Sequence, residues 1–196
     1  MLPTVWLQQS LQADSWKALA ALVYGSHFVV TPLLLAVLWV CHRDLWGRYV
    51  RQVLALSAAG LATYVLYPAA PPWLAAKEGV IEPVRRLSAS GWDVLGLPHA
   101  GALLTDSQGQ VNQVAAVPSL HTAFAVLTCL ALLPVARRAW QRAALAGYAV
   151  LMPVVLVWAG EHYVVDTLLG AAYAAGVVLT MRLLRARVAD VPTVDA

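Results

Sequence analysis

Charge is scarce in this sequence. Only 12% of its 196 residues are Asp, Glu, Lys or Arg, against about 25% in an ordinary soluble domain. With 61% hydrophobic residues and a mean hydropathy of +0.69, this excludes a soluble basic domain and excludes disorder. It also gives no reason to expect a nucleic-acid partner. Cysteine is nearly absent: Cys41 and Cys129 each sit inside an apolar run, with no disulfide or metal-ligand spacing, and read as small buried hydrophobes. No acidic ligand cluster points to a divalent metal. The opening M-L-P-T-V-W has neither a basic n-region nor a cleavage site, so no signal peptide is expected.

What the chain has instead is long apolar runs, which read as one membrane-embedded domain over residues 1–196. Residues 1–15 are mixed and too short to span; they suit the membrane interface. Spans are expected at about 16–40, 50–67, 118–135, 143–158 and 163–184, giving an all-α bundle of five transmembrane helices, with residues 1–15 standing at the interface in place of a sixth. Polar hairpins at 42–51 and 136–142 separate two pairs of them. His27 lies inside the first span and reads as a helix–helix hydrogen-bonder rather than a catalyst. Pro68, Pro71 and Pro72 end the second span. The last span carries Gly170, Ala171, Ala174 and Ala175, small residues four apart that let helices approach closely.

Residues 69–117 are too polar to span and too long for an ordinary connection. Val80, Ile81, Val84 and Leu87 recur at helical spacing around Arg85 and Arg86, which predicts an amphipathic interfacial helix. Trp73 and Trp92 suit the interface, and His99 reads as a surface histidine. Of the thirteen Lys and Arg, nine fall in 42–51, in 136–142 and at Arg182, Arg185, Arg187 ahead of a polar tail. Under an alternating five-span topology these three regions share one side. The positive-inside rule makes that side, with the C-terminus, cytoplasmic and turns the long loop outward. Lys17, Lys77, Arg85 and Arg86 fall on the outer side.

The outer side also collects the residues with chemistry. The break W-A-G-E-H-Y-V-V-D-T-L-L-G, Trp158 to Gly170, turns on Gly160 and re-enters with His162 and Asp166 four residues apart. On a helix, that spacing places both on one face, where a carboxylate can fix an imidazole tautomer and raise its basicity. At the start of the third span stands V-P-S-L-H, Val117 to His121. Pro118 suits a first helical turn, and Ser119 with the free N–H groups of that turn makes an anion site beside His121. One histidine could attack phosphorus while the other protonates the leaving oxygen.

P-S-L-H followed some forty residues later by G-E-H-Y-V-V-D resembles the two C-terminal signatures of the type 2 phosphatidic acid phosphatase superfamily. Leu120 and the preceding Y-P-A-A-P-P-W, Tyr67 to Trp73, are more similar to its inositol-phosphorylceramide-synthase-like branch. The resemblance covers Tyr67 to Gly170. It implies a metal-independent enzyme without a cofactor, in which His162 forms a phosphohistidine, Asp166 orients and activates it, His121 protonates the leaving group and Ser119 contacts the phosphate. The implied substrate is a membrane lipid phosphate: phosphatidic acid, a polyprenyl phosphate or a phospholipid headgroup donor, with either water or an alcohol as acceptor. The family's Lys…Arg-Pro signature is missing, and Val155 and Leu156 stand where it carries a Ser-Arg pair. Arg85, Arg86 and Lys77 are then the candidate phosphate cations, with Gln113 and Asn112 as neutral hydrogen-bond donors. A rival reading is a non-enzymatic membrane protein using His121 and His162 as haem or metal ligands.

Overall fold

Proline and glycine positions mark most of the helix limits. In the computed structural model, which describes residues 1–110 and 112–189, the helices are α1 (Pro3–Ser10), α2 (Asp14–Cys41), α3 (Arg43–Leu66), α4 (Pro72–Lys77), α5 (Pro98–Gln110), α6 (Leu120–Leu132), α7 (Ala139–Trp158) and α8 (Val164–Ala189). No strand occurs among the described residues; one isolated bridge pairs Ala69 with Ala115. The chain is an all-helical integral membrane protein. The polar tail expected from residue 190 onward lies outside the described residues.

Four helices, α2, α3, α7 and α8, are long and apolar enough to cross a bilayer. The expected third span is the exception. α6 has 13 residues, about 20 Å at 1.5 Å per residue against a hydrocarbon core of about 30 Å. Its position explains why so short a helix suffices: α6 packs on α2, α3, α7 and α8 and is the centre of the bundle. Ala123 and Leu127 are fully buried there with Leu56, Tyr49, Ala174 and Val178. A second apolar cluster joins α2 to α7 through Tyr24, Met152, Val155, Leu156 and Trp158. Large apolar side chains such as Val29, Leu33, Leu54, Leu61, Val150, Leu168 and Leu179 face outward, where lipid solvates them.

Three further expectations are corrected. The polar hairpin at 42–51 is almost entirely helix; only His42 separates α2 from α3. Its arginines are good helix formers whose stems lie along apolar surface, as in the stacking of Arg43 on Trp39 at 3.4 Å. The interfacial helix at Val80–Leu87 does not form. Gly79, at φ 72, closes the turn after α4, and Pro83 removes a donor and biases Glu82 toward extended backbone. The segment instead runs as a strap across the ends of α1 and α7. Leu87 N–H donates to Ala159 O at 2.9 Å, Gln8 Nε2 donates to Arg85 O at 2.7 Å and Trp158 O at 2.9 Å, and Arg85 N–H donates to Gln8 Oε1 at 3.2 Å. Residues 1–15 are therefore docked protein: α1 closes over α7, and Trp158 Nε1 reaches Leu11 O at 3.0 Å.

The basic ends do converge. A cavity of about 190 Å³ is lined by Arg48, Tyr49, Pro134, Val135, Arg182 and Arg185, from the ends of α3, α6 and α8. The N-termini of α6 and α8 and the C-termini of α3 and α7 lie at the opposite end of the bundle.

Candidate active site

Two helix starts build the site. Ser119 is the N-cap of α6 and its Oγ accepts the Thr122 N–H at 3.3 Å, so Pro118 stands just before the helix rather than within it. α8 begins at Val164. Asp166, in its first turn, accepts the Tyr163 N–H on Oδ2 at 2.7 Å, as an acid at that position of a capping box does. The two starts are tied together: Ser119 N–H donates to Asp166 O at 3.0 Å. Gly170 allows the approach, because a Cβ there would run into the Ser119 carbonyl oxygen. Of the expected small residues on α8, Gly170 and Ala174 are buried, whereas Ala171 and Ala175 are not.

Gly160, at φ 77, makes the turn between α7 and α8, a left-handed conformation glycine adopts without steric penalty. The next residues, Glu161 and His162, are buried. His162 Nδ1 lies 2.9 Å from the Ala116 carbonyl oxygen. A carbonyl only accepts, so Nδ1 carries the hydrogen, and in the neutral ring Nε2 is the nitrogen with the lone pair. Asp166 Oδ2 is 3.7 Å from the same Nδ1, within ion-pair range but beyond a hydrogen bond. Asp166 is 1% exposed and its Oδ1 has no partner, so its charge acts on His162 with little screening. Burial, and then the Asp166 carboxylate, raise the Tyr163 phenol.

His162 opens onto a cavity of about 460 Å³ that it shares with His121. The two rings are 6.0 Å apart between centroids at 60°, close enough to touch one ligand. His121 stacks on Tyr24 at 5.0 Å, and its Nε2 is buried without a partner. The cavity mouth includes Phe28 of α2 and Leu61 of α3, both more than half exposed on the lipid-facing surface.

Among the expected phosphate ligands, Arg86, Gln113 and Asn112 line this cavity. Arg85 and Lys77 do not. Arg85 is exposed on the outer side of the strap and lines a separate shallow depression with Ser90 and Asp93, because its backbone is held by Gln8 and the next residue alone turns inward. Lys77 is exposed at the end of α4. Ser119 is fully buried behind the wall as a cap, not among the cavity-lining side chains. His99 is exposed. Val155 and Leu156 are fully buried in the α2–α7 core, a place that would not accept an unpaired arginine. Among the described residues, no group of three or more His, Cys, Asp or Glu side chains is arranged to hold a metal ion.

These two signatures, one on each of two tied helix starts, match a known pattern. A family model described as PAP2 superfamily covers residues 3–180. The chain belongs to the PAP2 superfamily. A phosphoinositol dihydroceramide synthase from Bacteroides thetaiotaomicron is 32% identical over 158 residues, covering 75% of this chain and 50% of the relative. The chain thus spans about half the length of the curated relative it matches, and the branch resemblance carried by Tyr67–Trp73 and Leu120 agrees with that relative. No solved structure matches. PAP2 membership supports a membrane lipid phosphatase or phosphotransferase.

Sequence reasoning missed several cavity residues. His27 makes no helix–helix hydrogen bond among the described residues; its ring lies 4.0 Å from that of His121 and packs on Phe28 and Phe124. The signal was there, since an ionisable residue inside a span defaults to a functional position. Glu161 sits inside the second motif yet had no assigned partner. Tyr24 and Gln108 carried no local signal, because their place depends on how α2 and α5 fold over the site.

Proposed function

We propose that this PAP2 protein cleaves or transfers the phosphate of a membrane lipid through a phosphohistidine on His162. The observation that carries the reading is the tethering of His162 Nδ1 by Ala116 O in a cavity shared with His121 and Arg86. Nε2 attacks phosphorus as the bond to the lipid or headgroup oxygen breaks. His121 gives that oxygen its proton, and the positive charge gained by His162 is met by Asp166. Arg86 meets charge developing on the phosphate oxygens, and Gln113 adds a neutral donor. In the second half, water or an alcohol attacks the phosphohistidine, His121 takes its proton, and Nε2 leaves. The same chemistry therefore serves hydrolysis or headgroup transfer, and the acceptor decides between them.

The exposed Phe28 and Leu61 at the mouth support entry of a lipid tail from the side, between α2 and α3. Nine arginines at the opposite end of the bundle support an outward-facing site and a cytoplasmic C-terminus. The test is a panel of lipid phosphates and phospholipid donors, with and without alcohol acceptors, read by mass spectrometry for both products. Turnover with an acid-labile, base-stable phosphoprotein adduct is expected. His162→Ala should lose both; retained turnover in that variant removes the nucleophile assignment.

A further inference from the structure

Among the described residues, Arg86 is the one Lys or Arg that lines the cavity of the two histidines, and its charge is already matched. Its Nε donates to Glu161 Oε1 at 2.8 Å and its Nη2 to Glu161 Oε2 at 3.1 Å, a bidentate pair. The guanidinium lies over the Trp73 ring at 4.3 Å. Glu161 is itself held: Ser88 Oγ donates to Oε1 at 2.6 Å. Gln108 Nε2 donates to Ser88 Oγ at 3.1 Å and to Tyr24 OH at 2.9 Å. So the carboxylate beside the proposed nucleophile is wired, through the Ser88 and Gln108 side chains, to the tyrosine that stacks on His121.

This arrangement fixes the charge a ligand meets. Among the described residues, and apart from the imidazoles, the cavity lining holds one cation, Arg86, and one anion, Glu161, with Asp166 as a second carboxylate behind His162. A phosphomonoester carries about −1.5 to −2 at neutral pH, whereas a phosphodiester carries a single charge. With Arg86 matched by Glu161, the protonated His121 that the proposed reaction requires is the cation left for the ligand: it balances a diester's single charge, whereas the second charge of a monoester would lie unmatched beside Glu161, and like charges at close range in a buried site are strongly unfavourable. We infer that Glu161 is a specificity-determining residue: by neutralising Arg86 it selects lipids with a singly charged phosphodiester over phosphomonoesters. This deepens the phosphoryl-transfer reading and rests on it.

The test compares kcat/KM for phosphatidic acid with that for a phospholipid of the same acyl chains bearing an uncharged polyol headgroup, in mixed micelles. The wild-type protein should favour the diester. Glu161→Gln keeps the size and one accepting oxygen and removes one charge, so the monoester-to-diester ratio should rise about a hundredfold, the scale of one unit charge about 6 Å away at an effective dielectric of about 20. Glu161→Gln combined with Arg86→Gln restores the charge balance, and the ratio should fall back toward wild type. A wild-type preference for the monoester, measurable whether or not the variants fold, overturns the inference. So does a ratio unmoved by Glu161→Gln, including the case where both substrates slow equally because Glu161 is only a brace. A wild-type protein that turns over neither lipid would instead remove the phosphoryl-transfer reading, and this inference with it.

Discussion

Replacing Asp166 by Asn separates its two jobs. The Asn side-chain oxygen can still accept the Tyr163 N–H that Asp166 Oδ2 now takes at 2.7 Å, so the start of α8 should persist. What goes is a full charge 3.7 Å from His162 Nδ1, between side chains 7% and 1% exposed. At an effective dielectric of about 20, a unit positive charge at that distance is stabilised by about 4 kcal/mol. In the proposed mechanism that charge exists only once His162 has attacked phosphorus. The loss therefore falls on the barrier and corresponds to about a thousandfold in kcat. KM should change little, because the His162 ring of the resting site is already held by Ala116 O. The assay is steady-state turnover of a lipid phosphate in mixed micelles, with thermal unfolding of the same preparation. Asp166→Asn should lose kcat at nearly unchanged Tm, whereas Asp166→Ala should lose both, the second through about 1 kcal/mol of lost capping. Near-normal kcat in Asp166→Asn would refute the electrostatic role. A fall in Tm as large as that of Asp166→Ala would show that the carboxylate is structural.

Other consequences of the geometry can be checked separately. Arg86→Ala should lower kcat/KM by roughly a hundredfold or more, and Arg85→Ala, whose side chain lies outside the cavity, should stay within about twofold; equal effects would undo the assignment of the cation. Gly170→Ala puts a Cβ against the Ser119 carbonyl, so α6 and α8 must separate. A stability loss of about 1–3 kcal/mol should come with a fall in turnover of about a hundredfold, read by Tm and kcat together; unchanged values would mean that the two helix starts are not coupled. Gln8→Ala removes three hydrogen bonds that pin α1 and the 80–87 strap to α7. It should lower stability by about 1–3 kcal/mol and speed proteolysis within the strap; unaltered cleavage there would show that α1 does not hold it.

Much of the site was legible because its chemistry is local. His162 and Asp166 flank the start of α8, and His121 lies in the first turn of α6 behind its Ser119 cap, so each motif is placed by its own few residues. The candidate phosphate cation was not legible in the same way. Arg85 and Arg86 had equal standing in sequence, ahead of Lys77, and what distinguishes Arg86 is Glu161, 75 positions away. The interfacial helix over Val80–Leu87 failed for a related reason. Its apolar spacing was real, but a proline and the hydrogen bonds offered by α1 and α7 favoured an extended strap.

By itself, then, the sequence determined the solvent and the chemistry. A chain so poor in charge must place its apolar runs in lipid, where only internally satisfied backbone is stable, and helices are what such runs form. Its two motifs then carry the reacting groups wherever those helices begin. The tertiary structure decided what depends on distant partners. It placed a thirteen-residue helix at the centre of the bundle, brought His27 beside His121, and paired Arg86 with Glu161. Those outcomes follow from packing and charge neutralisation between segments far apart in the chain, which no local pattern encodes.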